Sequence, residues 1–280
     1  MTSVTGQSLA SEGRRVDSRH KATVAHIGTS TIWELRLQRV LGRIFLLPLG
    51  AVMMFLIRGK FRLKIRDHAK LRRQFVEIAN EKAPLIICAN HLTLVDSIVI
   101  LWALKSIPGY FVNYRLFSWN IPAIENYCRK PTWRLITYLN KCIPIDRHGT
   151  SEHIDGVLAK LAYLLSLGDV CLIFPEGTRS RSGRINVESA GYGIGKLIRS
   201  LPGCRVLCVY QRGATQEAHS DFPKTGETFH VEMELISPSS DFAGLRAVKD
   251  YSMQVLAKLK QMEDRYYDVA STPVDRKRHC

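Results

Sequence analysis

Two short runs with no polar side chain frame the chain: Leu85-Ile86-Ile87-Cys88, entered from Pro84, and Val170-Cys171-Leu172-Ile173-Phe174. Each is shorter than an ordinary helix and too continuously apolar for a strand with one wet face. Both therefore read as strands buried on two sides. Arg205 to Tyr210 reads as a third strand, and Thr228 to Ile236 alternates like a half-exposed one. Helical patterns fill the intervals at about 96–105, His153 to Leu167 with a stop at Gly168, Gly193 to Ser200, and Gly244 to Tyr267. Ile143-Pro144-Ile145 is strand-like, and residues 61–66 alternate as a short edge strand within a basic connector. Strands alternating with helices predict an α/β fold: a single domain whose mixed, mostly parallel sheet is covered by helices on both faces. A length of 280 residues suits one such domain, and no internal repeat or second linker interrupts it.

The amino-terminal part differs. Residues 1–30 are polar and read as a mobile tail; residues 31–60 read as a membrane-associating helical segment, and 61–280 as the α/β domain. Trp33 to about Ile57 is patterned as a helix, and Pro48 predicts a break or kink in it. Its core, Ile44 to Ile57, is apolar but shorter than the roughly 20 residues that span a bilayer, so an interfacial or re-entrant anchor is expected, with a marginal, tilted span as the alternative if Arg43 snorkels and Val40 joins.

Charge supports a membrane surface. The chain carries a net charge of +15, and residues 1–80 alone hold 15 Lys/Arg against 5 Asp/Glu. Basic residues flanking an apolar segment match anionic membrane lipids. Nucleic acid is the competing polyanion, but no helix-turn-helix, zinc-finger or aromatic RNA-binding signature accompanies the charge, so no specific nucleic acid is expected. No secretory signal is visible in the first 30 residues, which places the expected location on the cytoplasmic face of a membrane. The seven cysteines lack zinc-ligand spacing and read as reduced thiols, with no metal.

Two polar clusters follow directly on buried strands, the position where α/β folds tend to hold ligands. The first is Asn90-His91-Leu92-Thr93-Leu94-Val95-Asp96. On an ideal helix His91 and Asp96 would lie about 140° apart. They can meet only if His91 occupies the entry turn and Asp96 the first helical turn. Asp96 could then accept the Nδ1 proton and leave Nε2 as a base for an incoming hydroxyl. The alternative is a core histidine held by backbone groups. The second cluster, Phe174 to Gly183, packs one carboxylate, two guanidiniums, three hydroxyls and two glycines into ten residues, a composition suited to gripping phosphate. A solvated basic turn is the plainer reading of it.

Taken together the clusters resemble the glycerolipid acyltransferase family, which includes lysophosphatidic-acid and glycerol-phosphate acyltransferases. The family's N-H-x4-D motif stands as Asn90 to Asp96, and F-P-E-G-T-R-S stands complete as Phe174 to Ser180. The apolar run plus arginine between them fits Ile143 to Arg147. The resemblance covers roughly residues 35–240. It implies His91 as general base, Asp96 as its orienting partner and Arg147 and Arg179 as phosphate contacts. Glu176, Gly177 and Thr178 would line the acceptor site. It implies acyl transfer from acyl-CoA or acyl carrier protein to a lysophospholipid hydroxyl, with 1-acyl-glycerol-3-phosphate the leading acceptor and no cofactor beyond the thioester co-substrate.

The chain departs from the family in two places. F-K-x-G-A after the third motif is replaced by Ala190-Gly191-Tyr192-Gly193-Ile194, and the proline of the fourth motif is absent from Val206 to Tyr210. A lyso-aminolipid or specialised glycolipid acceptor therefore stays open, as does a catalytically silent lipid-binding relative. Gly191-x-Gly193-x-Gly195-Lys196 lacks Walker spacing and reads as close packing rather than a phosphate loop. The aromatic stretch 102–133 reads either as core or as the wall of an acyl groove or membrane contact.

Overall fold

The computed structural model describes residues 27–127 and 130–271. Six strands form one sheet: β1 (Lys64–Ile65), β2 (Leu85–Ala89), β3 (Trp119–Asn120), β4 (Val170–Ile173), β5 (Arg205–Gly213) and β6 (Thr228–Ile236). Their order is β1-β6-β5-β2-β4-β3. The β5–β6 pair is antiparallel and the other pairings are parallel, as a mixed, mostly parallel sheet requires.

The helices are α1 (Thr29–Met54), α2 (His68–Ala79), α3 (Asp96–Leu104), α4 (Ile107–Val112), α5 (Ile124–Tyr127), α6 (Pro131–Leu139), α7 (Ser151–Ser166), α8 (Tyr192–Ser200) and α9 (Gly244–Ser271). Strand residues alternate between two cores. Ile86, Cys88, Cys171, Val206, Cys208 and Tyr210 face α7, α8 and α9. Ile87, Ala89, Leu172, Leu207 and Val209 face α2, α3 and α4. Both faces of β2 and β4 are thus dry, which explains their unbroken apolar sequences.

The structure corrects several expectations. The edge strand expected within 61–66 forms as β1 at 64–65, but the helix α2 that follows it was not expected: it buries only Leu71 and Phe75 fully, so its apolar stripe is thin among charges. Ile143-Pro144-Ile145 makes no strand. Proline cannot donate to a ladder, and only the isolated bridges Asn120↔Cys142 and Ala123↔Ile145 form beside β3. Gly195 packs against α9 rather than the sheet; a Cβ there would lie 2.7 Å from Ser252 Oγ and closer still to the Val248 carbonyl. In the aromatic stretch Trp102, Tyr110, Tyr114, Phe117 and Trp119 are core, and Trp133 alone of the tryptophans there is exposed.

Pro48 does not break the amino-terminal helix, which runs on through a π-helical turn at Phe55–Lys60. The whole helical stretch, Thr29–Lys60, is long and apolar enough to cross a membrane by length and composition. One face, carrying Leu35, Gln38, Gly42, Leu46 and Gly50, is docked on the domain. Gln38 Nε2 donates to the carbonyls of Tyr138 (2.9 Å) and Cys142 (3.0 Å). Arg39 pairs with buried Asp169, which also accepts from Trp119 Nε1 at 2.8 Å. Lys141 is fully buried beside this group, donating to the carbonyls of Tyr114 and Phe117, and burial pushes its ammonium down to about 8. With the backbone fixed on both sides of Pro48, its missing N–H interrupts one hydrogen bond without ending the helix. The opposite face shows Trp33, Leu37, Val40, Ile44, Leu47, Val52 and Phe55 to the outside. Of the expected polar tail, residues 1–26 lie outside the described residues, and the helix begins at Thr29.

Gly42 marks the tightest approach of α1. A Cβ there would meet the Tyr114 hydroxyl and lie 2.6 Å from the Leu139 carbonyl. We expect Gly42→Leu to lower unfolding stability by about 1–3 kcal/mol through overpacking. Urea denaturation measures it, and an unchanged midpoint would show that α1 is not docked as described.

Candidate active site

The carboxyl ends of β2, β4 and β5 lie side by side, and the loops leaving them converge. After β2 the chain turns through Asn90 to Val95 and enters α3 at Asp96. Asp96 is 1% exposed and collects four donors. Its Oδ2 accepts from His91 Nδ1 at 2.9 Å, Leu92 N–H at 2.5 Å and Thr93 N–H at 2.8 Å. Its Oδ1 accepts from the Thr93 hydroxyl at 2.5 Å. The two residues that face apart on a regular helix meet here because residues 90–95 are not helical. The carboxylate at the first position of α3 also faces the positive end of that helix.

His91 is held on its other sides as well. Its ring stacks on Phe174, centroids 4.0 Å apart and planes 15° from parallel. Its carbonyl accepts from Ser180 N–H at 2.9 Å, which ties the second polar cluster to the first. Asn90 forms a reciprocal amide pair with the Gln211 backbone on β5: Nδ2 to the carbonyl at 2.9 Å and N–H to Oδ1 at 2.8 Å. An imidazole so fixed, with Nδ1 committed to a carboxylate, has Nε2 left to take a proton.

The turn after β4 carries the other expected residues. Gly177 has φ +70°, a conformation costly for any other residue, so the turn requires glycine. Glu176 has one carboxylate oxygen buried without a partner. Burial raises its carboxyl to about 7, although the N–H groups of His91 and Asn186 pull the other way. Thr178 is exposed. Arg179 reaches across to a third loop, donating to Asp221 Oδ1 at 2.7 Å and the Ser220 carbonyl at 3.2 Å. That loop is itself sewn to the first by Ser220 N–H to the Leu92 carbonyl and Leu94 N–H to the Asp221 carbonyl. Arg147 stands apart. It is exposed, past the 142–145 segment that flanks β3, three sheet positions from β2. The replaced segment 190–194 borders the turn: a Cβ on Gly191 would lie 4.0 Å from the Pro175 carbonyl.

Four functional-looking residues escaped the sequence reading. Thr93 sits three residues before Asp96, the spacing of a local side-chain cap. Arg212 is 1% exposed on β5, hydrogen-bonding Tyr210 Oη and the carbonyls of Gly183 and Gln216. Glu263, also 1% exposed, accepts from Ile185 N–H and stands 3.8 Å from Arg212. Together they clamp the back of the 174–185 turn onto α9. A charge ending an apolar strand, and another on the apolar stripe of α9, were the available signals. Asp221 gave none.

The model of the family described as "Acyltransferase" matches residues 63–210, from the start of the sheet through Tyr210 of β5. That is just over half of the chain, and the chain belongs to the acyltransferase family. A structural search finds the crystal structure of the 1-acyl-sn-glycerophosphate (LPA) acyltransferase, PlsC, from Thermotoga maritima. It is 16% identical, with a TM-score of 0.44 over 90% of this chain and 88% of that one. No curated protein matches the sequence.

Glu176 gives the site a pH signature. Its folded-state carboxyl titrates near 7 against an ordinary 4.5. Between those values the folded protein holds a proton that the unfolded chain has released, so stability falls as pH rises through that window. We expect the thermal midpoint to drop less between pH 5 and pH 7.5 in Glu176→Gln than in the wild type. Equal drops would mean that this carboxyl is not held protonated.

Proposed function

We propose that this chain transfers a fatty acyl group from an acyl-CoA or acyl carrier protein thioester to the hydroxyl of a lysophospholipid, with 1-acyl-glycerol-3-phosphate as the leading acceptor. His91 Nε2 takes the proton as the acceptor oxygen bonds to the thioester carbonyl carbon. Asp96 holds the ring through Nδ1 and stabilises the imidazolium that forms. The tetrahedral intermediate then expels the thiolate. The C–S bond breaks, the thiolate takes the proton from His91, and ester and free thiol leave. The acceptor's own hydroxyl is the nucleophile, so no serine or cysteine nucleophile is required and no cofactor beyond the thioester enters.

The observation that carries this reading is the His91–Asp96 contact at 2.9 Å in a loop tied by hydrogen bond to the Phe174–Ser180 turn. Family membership supports the reaction type. Arg179 would exchange its pairing with Asp221, which is 67% exposed, for the acceptor phosphate; an ion pair so exposed holds little energy. Glu176, Gly177 and Thr178 would shape the acceptor pocket, while Arg147, exposed beyond the β3 edge, stands outside it. The segment 190–194 abuts the same turn, so its departure from the family pattern bears on the acceptor. A lyso-aminolipid or glycolipid is the second reading on that account.

The outward apolar stripe of α1, with Trp133, Leu135 and Ile136 on the neighbouring α6, supports an enzyme lying on a membrane surface, and the cytoplasmic face is the side we propose for it. The other face of α1 is bound to the domain along its length, which favours lying flat over spanning. The helical stretch ends close to the site: Phe61 stacks on Phe222, next to Asp221. A lysolipid could then pass from bilayer to site without crossing water.

Acceptor-dependent thiol release from long-chain acyl-CoA tests the reading. Lysophosphatidic acid should support it in the wild type, and His91→Ala should lower kcat by about 10²–10⁴. Acyl carrier protein donors and other lysolipids complete the panel. Undiminished release by the variant would remove His91 as base. No release with any donor and acceptor would leave a lipid-binding relative without catalysis.

A further inference from the structure

A cleft bordered by cationic side chains lies away from the loops that carry His91 and Arg179. A cleft of about 410 Å³ opens between α2 and the junction of α3 with α4, lined by Arg72, Arg73, Val76, Glu77, Lys105, Ser106 and Gly109. Arg72, Arg73 and Lys105 border it against one acid, Glu77, and the Ser106 hydroxyl beside them accepts from the Gly109 N–H at 3.2 Å. Arg72 is fixed in place by its hydrogen bond to the Trp102 carbonyl at 3.0 Å, and its Nε is buried with no partner. Arg58 stands close enough to act electrostatically on Arg72 and His68, so the local field is more positive than the lining alone. Helix α3 separates the cleft from the reaction centre: Asp96 begins it and Lys105 follows its last residue, a rise of about 13 Å.

We propose that this cleft holds the phosphate of an anionic phospholipid headgroup, as a site distinct from the acceptor site at His91. Two neighbours favour a membrane lipid over a soluble phosphate. Helix α4, which begins in the cleft, packs through Ile107 on Gly50 of α1 and exposes 80% of Val112. Arg58 closes the apolar stripe of α1 that ends at Phe55, also largely exposed. The cleft thus lies beside the surfaces read above as facing the bilayer, where a headgroup can enter while its acyl chains stay in the membrane. Guanidinium groups match phosphate oxygens in geometry as well as charge. No aromatic side chain lines the cleft, so it offers nothing for a nucleotide base to stack on.

The proposal rests on the membrane-surface reading, and the test separates the two. The full chain is floated with phosphatidylcholine vesicles, with or without phosphatidylglycerol, and Arg73→Gln/Lys105→Gln is compared with Arg246→Gln/Lys249→Gln on α9. Each variant loses two charges at exposed or half-exposed positions. We expect the cleft variant to bind phosphatidylglycerol vesicles about tenfold or more weakly, the α9 variant less than about threefold, and both to bind phosphatidylcholine like the wild type. Equal losses in the two variants would reduce the effect to overall charge and overturn the site. A raised KM for acyl-CoA in the cleft variant, with vesicle binding unchanged, would assign the cleft to the soluble donor's phosphates and overturn the lipid. If the wild type floats with neither vesicle, the membrane reading itself fails.

Discussion

A carboxylate removed from water loses hydration worth several kcal/mol, and its burial is tolerated only where other donors replace that water. Asp96 is such a group. It is buried at the first turn of α3 and takes four hydrogen bonds from three successive residues before it. Each charge-assisted bond contributes roughly 1.5–3 kcal/mol, so the set offsets the desolvation. In meeting that need the 91–93 turn wraps around the carboxylate, and the wrapping sets the direction of the His91 ring. The pair and the turn are therefore one construction: neither residue has its geometry without the other.

The remaining contacts reach outward from this turn. Ser180 binds the His91 carbonyl, Ser220 binds the Leu92 carbonyl, and Leu94 binds the Asp221 carbonyl. The loops leaving β4 and β5 are thus fastened to residues 91–94 of the loop leaving β2. Arg212 and Glu263 secure the far side of the second loop to α9, and Phe61 secures the third to the end of the amino-terminal helical stretch. The sheet supplies a rigid edge, and the loops build a site whose parts cannot move independently. On the opposite end of the strands the Arg39–Asp169 pair anchors α1, with Gln38 donating to the Tyr138 and Cys142 carbonyls beside it. The apolar helix is consequently a fixed part of the body rather than a tethered anchor.

Much of this was legible in the residues because it rests on local chemistry. The apolar runs at 85–88 and 170–174 could only be strands dry on both faces. The His91-x4-Asp96 spacing demanded a non-helical entry turn if the pair was to meet, and the turn is there. Helix α2 was not legible, since Leu71 and Phe75 are too few to stand out among its charges. Nor was β3, two residues long, or the fate of Pro48, which depends on what α1 packs against. Ile143 to Ile145 misled because apolar β-branched residues suggest a strand whatever a central proline does to its ladder. The clamp of Arg212 on Glu263 joins residues far apart in sequence, and only the fold brings them together.

The construction of the site depends on Asp96 fixing the proton of His91 on Nδ1. Nitrogen-15 NMR of histidine-labelled protein, with the His91 signals identified by their loss in His91→Ala, measures this directly. The neutral ring is predicted to carry its proton on Nδ1 and leave Nε2 bare, with that preference lost in Asp96→Asn. A proton on Nε2, or a ring indifferent to the Asp96 substitution, would contradict the proposed base and the construction of the site around it.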